Sequence, residues 1–159
     1  MFETTNYKGS LANQYRTVHD QLTALLEGEK NTIANLSNTA ALLNQFLPNI
    51  NWVGFYLLEE DELVLGPFQG LPACVRIPFG RGVCGTSLAQ NKTIVVEDVH
   101  QFPGHIACDA ASRSEIVIPL HKDGKIFGVL DIDSPITNRF SSKDQQGLET
   151  LVAILEKSL

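Results

Sequence analysis

The sequence predicts an α+β fold: a central, mostly antiparallel β-sheet with N- and C-terminal helices on one face and a loop and short-helix ligand pocket on the other. Three observations carry this. Apolar residues recur at helical spacing near both ends of the chain. Between them the pattern changes to the β-branched and aromatic runs of strands. A central stretch from Gln69 to Arg113 follows neither period, and long irregular chain inside a compact domain usually carries function.

The elements follow in order. Leu11, Tyr15, Val18, Leu22 and Leu25 make one apolar stripe, and Gly28 ends that helix. Ile33, Leu36, Ala40, Leu43 and Leu47 repeat the pattern, with Asn31 as cap and Pro48 as stop. Ile50 to Leu58 is apolar at odd and even positions alike, the mark of a strand buried on both faces. A polar turn at Glu59 to Glu62 leads into a returning strand from Leu63 to Phe68. The irregular third holds a short strand near Val75-Arg76-Ile77, a short helix from Gly85 to Gln90, a strand from Thr93 to Val96 and a loop from Glu97 onward. Two strands, Ile116 to Leu120 and Ile126 to Asp133, are joined by His121-Lys122-Asp123-Gly124-Lys125. The last helix starts at Ser141, where Ser141 and Asp144 resemble a capping box and Phe140 a staple. Leu148, Leu151, Val152, Leu155 and Leu159 form its buried stripe.

A chain of 159 residues is one ordinary domain, here taken as 1–159. With 43% hydrophobic and 19% charged residues it is globular in composition rather than disordered. A net charge of −6 argues against a nucleic-acid or anionic-membrane partner, both of which need a basic face. No apolar run is long enough to span a bilayer, and the N-terminus lacks the pattern of a secretory signal, so the expected compartment is the cytoplasm. The three cysteines, Cys74, Cys84 and Cys108, are too few and too odd for a secreted disulfide framework. A homodimer stays open, since the sequence does not determine oligomeric state.

The chemistry-bearing residues cluster in the middle of the chain. Gly80-Arg81-Gly82-Val83-Cys84-Gly85 matches G-x-G-x-x-G, but it follows two helices and several strands and has no acidic residue at the required distance. Nicotinamide binding is therefore not expected. What remains is a glycine turn into a helix N-terminus, which places Cys84 where a thiolate is favoured; the alternative is a small buried hydrophobe. No paired Cys-x-x-Cys spacing is present, although His100 and His105 could add ligands; no resident metal is expected. Cys108 has small neighbours, with Asp109 raising its pKa and a protonated His105 lowering it.

Asp131 and Asp133 interrupt one strand and share a face, and Glu115 opens the strand before it. A two-residue Asp123-Gly124 turn pairs Glu115 with Ile132 and sends it to the opposite face. A three-residue Lys122-Asp123-Gly124 loop with a bulge pairs Glu115 with Asp131 and gathers three acids on one face. Gathered acids repel, so at least one should hold its proton. Alternatively these are solvated strand ends, with Arg113 opposite Asp133. Trp52, the single tryptophan, is either plain core or one wall of a pocket.

Taken together, Asn51-Trp52-Val53-Gly54-Phe55-Tyr56, the glycine motif, Phe102-Pro103-Gly104-His105-Ile106-Ala107-Cys108-Asp109, Ser112-Arg113-Ser114-Glu115 and Gly128-Val129-Leu130-Asp131-Ile132-Asp133 resemble the free methionine-(R)-sulfoxide reductases, a stand-alone GAF domain family. The resemblance implies that Cys108 attacks the sulfoxide sulfur, that Cys84 resolves the sulfenic acid as a disulfide and that Cys74 relays it to an external reductant such as thioredoxin, with the disulfide of Cys108 expected to either Cys84 or Cys74. It implies that Glu115, Asp131 and Asp133 hold the substrate's ammonium, that Trp52 packs on the S-methyl end, and that no cofactor is needed. The competing expectation is a non-catalytic GAF sensor of a small molecule.

Overall fold

The computed structural model describes residues 2–159. Two helices open the chain, α1 (Leu11–Leu26) and α2 (Thr32–Phe46). Strands β1 (Trp52–Glu59), β2 (Glu62–Gly70) and β3 (Arg76–Pro78) follow, then helix α3 (Gly82–Gln90) and strand β4 (Ile94–Val96). A 3-10 turn at Val99–Gln101 begins the long loop to β5 (Ser114–Lys122); β6 (Lys125–Ser134) and α4 (Ser142–Glu156) complete the chain. The strands form one antiparallel sheet in the order β3-β2-β1-β6-β5-β4. No helix among the described residues is long and apolar enough to cross a membrane.

The helix starts are chemically specified. Ser10 accepts from the Asn13 amide, Asn31 from the Ala34 amide, and Ser141 with Asp144 closes the expected capping box. Gly28, at φ +77°, takes the left-handed turn that ends α1. One expected core residue is misplaced: Ile33 is 57% exposed, because burial on α2 begins a turn later, at Asn35. Periodicity shows which side of a helix is apolar; it does not show where along its length the packing begins.

Strand alternation divides the sheet into two cores. Val53 and Phe55 of β1, with Ile116, Ile118, Leu130 and Ile132, face α1, α2 and α4. Trp52 and Tyr56, with Val117 and Val129, face α3 and the irregular chain around it. The terminal helices and the central third thus cover opposite faces, as expected.

The β5–β6 register differs from both expectations and explains the site. Asp123 and Gly124 take φ +54° and +74°, a two-residue turn that pairs Lys122 with Lys125 and His121 with Ile126. A bulge follows, so that Leu120 pairs with Gly128 and Phe127 is the extra residue. Glu115 therefore pairs with Asp133, not with Ile132 or Asp131. One extra residue flips strand parity, so the short turn together with the bulge brings Glu115 to the face of the two aspartates. Arg113 makes no ion pair among the described residues; its amide donates to the Ser134 carbonyl at 2.7 Å.

A buried polar knot fastens α1 to α4. Tyr15 Oη donates to Asp144 Oδ1 at 2.7 Å. The Ser141 hydroxyl and amide, with Arg139 Nη1, donate to Oδ2 at 2.9, 3.0 and 3.2 Å. Periodicity reads Tyr15 only as a stripe residue, although its hydroxyl is fully engaged. Tyr15→Phe leaves a buried carboxylate oxygen without its donor and is expected to cost about 1–3 kcal/mol. Urea unfolding should show a lower midpoint at unchanged slope.

Candidate active site

The face opposite the terminal helices carries a small pocket. Trp52 and Tyr56 of β1 line it, with Cys84 of α3 and Glu115 of β5. Asp131 and Asp133 of β6 form its acidic floor, and the loop before β5 closes it with His105, Cys108, Asp109 and Ser112. The cavity left is about 40 Å³, room for a few waters. No Lys or Arg lines it among the described residues.

Aromatic packing sets one wall. Trp52 stacks on Phe68 and Tyr56, with ring centroids 5.2 and 5.8 Å apart. Gly54 makes this arrangement possible, since a Cβ there would meet Trp52 Cη2 at 2.8 Å. Trp52 Nε1 donates to the Leu71 carbonyl at 3.1 Å, which fixes the ring in its plane. Trp52 is thus core and pocket wall at once, 3% exposed.

The acids meet where the bulged register puts them. Burial raises Glu115 well above the usual carboxyl range, and the charges of Asp131 and Asp133 add to it. Burial likewise raises Asp133, with Asp131 and Asp109 contributing. Asp131 is raised by burial too, its Glu115 and Cys84 neighbours pulling it partly back. Asp131 Oδ1 is buried without a hydrogen-bond partner. The cluster is therefore a proton-holding group that lacks a cation, and not a set of solvated strand ends.

The cysteines divide into a bridged pair and a free thiol. Cys74 and Cys108 form a disulfide with Cα atoms 5.5 Å apart, which staples the β4–β5 loop to the chain before β3. Cys84 is free and buried. Of the two partners left open for Cys108, Cys84 and Cys74, the bridge present is to Cys74. Cys84 does not sit where a thiolate is favoured, although α3 begins at Gly82 and places it in the first turn. Burial pushes its thiol up, and Asp131, Glu115 and Asp133 push further. A helix N-terminus favours an anion by about 0.3–1 kcal/mol, whereas moving a charge into the interior costs several; burial wins.

Tyr56 and Asn51 were given no role by the sequence. Tyr56 Oη donates to the Cys74 carbonyl at 2.9 Å, tying the disulfide segment to β1. Asn51 Nδ2 donates to Asp109 Oδ2 at 2.9 Å and Ser112 Oγ at 3.1 Å, anchoring the loop that carries Cys108. His105 Nε2 stands 3.8 Å from Glu115 Oε2, and burial lowers its pKa, with His100 adding to the effect. It therefore brings no imidazolium to Cys108 at neutral pH. Only their place in the segment from Asn51 to Tyr56 around Trp52 pointed to Tyr56 and Asn51.

An antiparallel sheet flanked by terminal helices, with a small pocket built from α3 and the loop before β5, defines a GAF domain, and the GAF domain family model matches residues 31–159. A free methionine-R-sulfoxide reductase of Escherichia coli is 60% identical over 145 residues, covering 91% of this chain and 88% of that one. The enzyme of the same name from Saccharomyces cerevisiae is 45% identical over 84% of this chain and 79% of its own. The free methionine-R-sulfoxide reductase of Neisseria meningitidis, solved in complex with its substrate, superposes with a TM-score of 0.94 at 48% identity, over 99% of this chain and 95% of that one. The chain belongs to the GAF domain family and, within it, to the free methionine-R-sulfoxide reductases.

Proposed function

We propose that this chain reduces free L-methionine-(R)-sulfoxide to L-methionine. The observation that carries the proposal is that Cys108, paired with Cys74, lines the same pocket as the buried Glu115 and Asp131 and the half-buried Asp133. The Cys108 sulfur attacks the sulfoxide sulfur while a protonated carboxyl of the cluster gives its proton to the departing oxygen. The protonated oxygen then passes to the Cys108 sulfur as the new S–S bond breaks, so that methionine leaves, Cys108 becomes a sulfenic acid and the thiol proton returns to the acid cluster. The Cys74 thiol then attacks the Cys108 sulfur, a water departs, and the disulfide forms. An external dithiol of the thioredoxin class, in a reducing compartment such as the cytoplasm, supplies the two electrons that reopen it. Cys84 is given no redox step, because it lies outside this pair.

Glu115, Asp131 and Asp133 take the substrate's ammonium, which the pocket's lack of any Lys or Arg leaves them free to do. A peptide nitrogen carries no such charge, so free methionine sulfoxide is preferred over the protein-bound form. Trp52 packs against the S-methyl group and fixes the chiral sulfur so that only one hand presents its oxygen to the acid. Incubating the protein with each free epimer and a thiol reductant tests this. Methionine is expected from the R epimer with little or none from the S. Equal rates, or no methionine from either, would remove the enzyme reading in favour of a small-molecule sensor.

A further inference from the structure

The proposed reaction leaves Cys84 without a task. It is 4% exposed and is the free thiol of the chain. Its Sγ lies 4.0 Å from Glu115 Oε1. That sulfur, a Glu115 oxygen and an Asp131 oxygen all lie within 4.8 Å of one another. A second observation is independent of this grouping. Asp131 is 6% exposed, and its Oδ1 has no hydrogen-bond partner. An unmet acceptor in the interior is costly, and such an atom is usually satisfied by a group from outside the chain.

We propose that Cys84, Glu115 and Asp131 bind one thiophilic divalent cation, of which Zn²⁺ is the representative. The donor set decides the class. Mg²⁺ and Ca²⁺ take oxygen alone, whereas Zn²⁺ accepts thiolate, carboxylate and imidazole together. Zn–S bonds of about 2.3 Å and Zn–O bonds of about 2.0–2.2 Å place tetrahedral S and O atoms about 3.5 Å apart. The 4.0 Å gap between Cys84 and Glu115 closes with a small side-chain adjustment. On binding, the Cys84 S–H bond breaks, a sulfur–metal bond forms and the proton goes to solvent, together with any proton the carboxyls held. No electron moves, so no oxidant or reductant is required. The ion would occupy the carboxylates assigned to the ammonium and so inhibit the reductase. That consequence rests on the substrate reading; the site itself does not.

The test uses the full chain with its disulfide intact, so that Cys84 is the sole thiol. Cd²⁺ alone is titrated while thiolate-to-metal absorption is followed, and Zn²⁺ affinity is measured by calorimetry. One ion per chain is expected, with the absorption band present. Cys84→Ser should lose the band and weaken Zn²⁺ binding at least tenfold. Asp131→Asn should keep the band and weaken binding at least tenfold, which covers the case in which the serine variant fails to fold. No band in the wild-type chain, or Zn²⁺ affinity unchanged in both variants, overturns the site. Free methionine-(R)-sulfoxide should lower the apparent Zn²⁺ affinity. A Cys84-dependent band that the sulfoxide leaves undisturbed supports the metal site and counts instead against the substrate assignment.

Discussion

Cys108→Ser is expected to yield no methionine from the free R epimer, even in a single turnover with enzyme in excess. The reason is chemical: the attacking sulfur accepts the oxygen, and a serine hydroxyl cannot be oxidised in its place. Cys74→Ser separates attack from resolution. Its Cys108 still performs the first step, so the variant should release up to one methionine per chain and then stall or slow with thioredoxin, because a resolving thiol acts only after product leaves. Cys84→Ser should retain the Cys74–Cys108 disulfide in non-reducing peptide maps of oxidised protein, since Cys84 lies outside the bridge. Rapid quench and free-thiol counts read all three. A single-turnover burst from Cys108→Ser together with none from Cys74→Ser would exchange the two roles.

Glu115→Gln, Asp131→Asn and Asp133→Asn should each lower kcat/KM by more than tenfold, about 1.4 kcal/mol or more of transition-state stabilisation. Each change weakens the grip on the ammonium, and Asp131→Asn and Asp133→Asn also remove a negative neighbour from Glu115, which lowers its pKa. The pH profile carries the sign. The raised carboxyls hold their proton below the shifted pKa and lose it as pH rises through that value. Activity that needs the protonated acid therefore falls on the alkaline side, and at least one variant should fall at lower pH than wild type. Stability runs the same way. A carboxyl raised on folding stabilises the fold fully below its unfolded pKa, and that stability is lost as pH rises through the folded value. Thermal unfolding should thus show Glu115→Gln gaining on wild type as pH rises above the usual carboxyl range, while its activity drops. Near-wild-type kinetics in all three variants would detach the cluster from the reaction.

The parts legible in the sequence are those set by local chemistry. Caps at Ser141 and Asn31, the glycine stop at Gly28 and the apolar stripes depend on residues three or four positions apart, and the structure keeps them. Strand alternation alone placed Asp131 and Asp133 on one face. The sequence motifs around Trp52, Cys108 and Glu115 named side chains that do line one pocket. What the chain could not show by itself depends on pairings between distant segments. The bulge at Phe127 decides which acid Glu115 faces, because one extra residue changes the register of everything beyond it. The choice of Cys74 as partner of Cys108 depends on where β3 and the β4–β5 loop meet, across a sequence separation of 34 residues. The state of Cys84 depends on what buries it: local sequence puts a sulfur at a helix start, which favours a thiolate, but the β5 and β6 carboxylates and the loss of water outweigh the helix dipole. Composition and period therefore determined the elements and their apolar faces, while register, disulfide partner and protonation state were decided by the tertiary structure, because each is an energy of contact between residues that only the folded chain brings together.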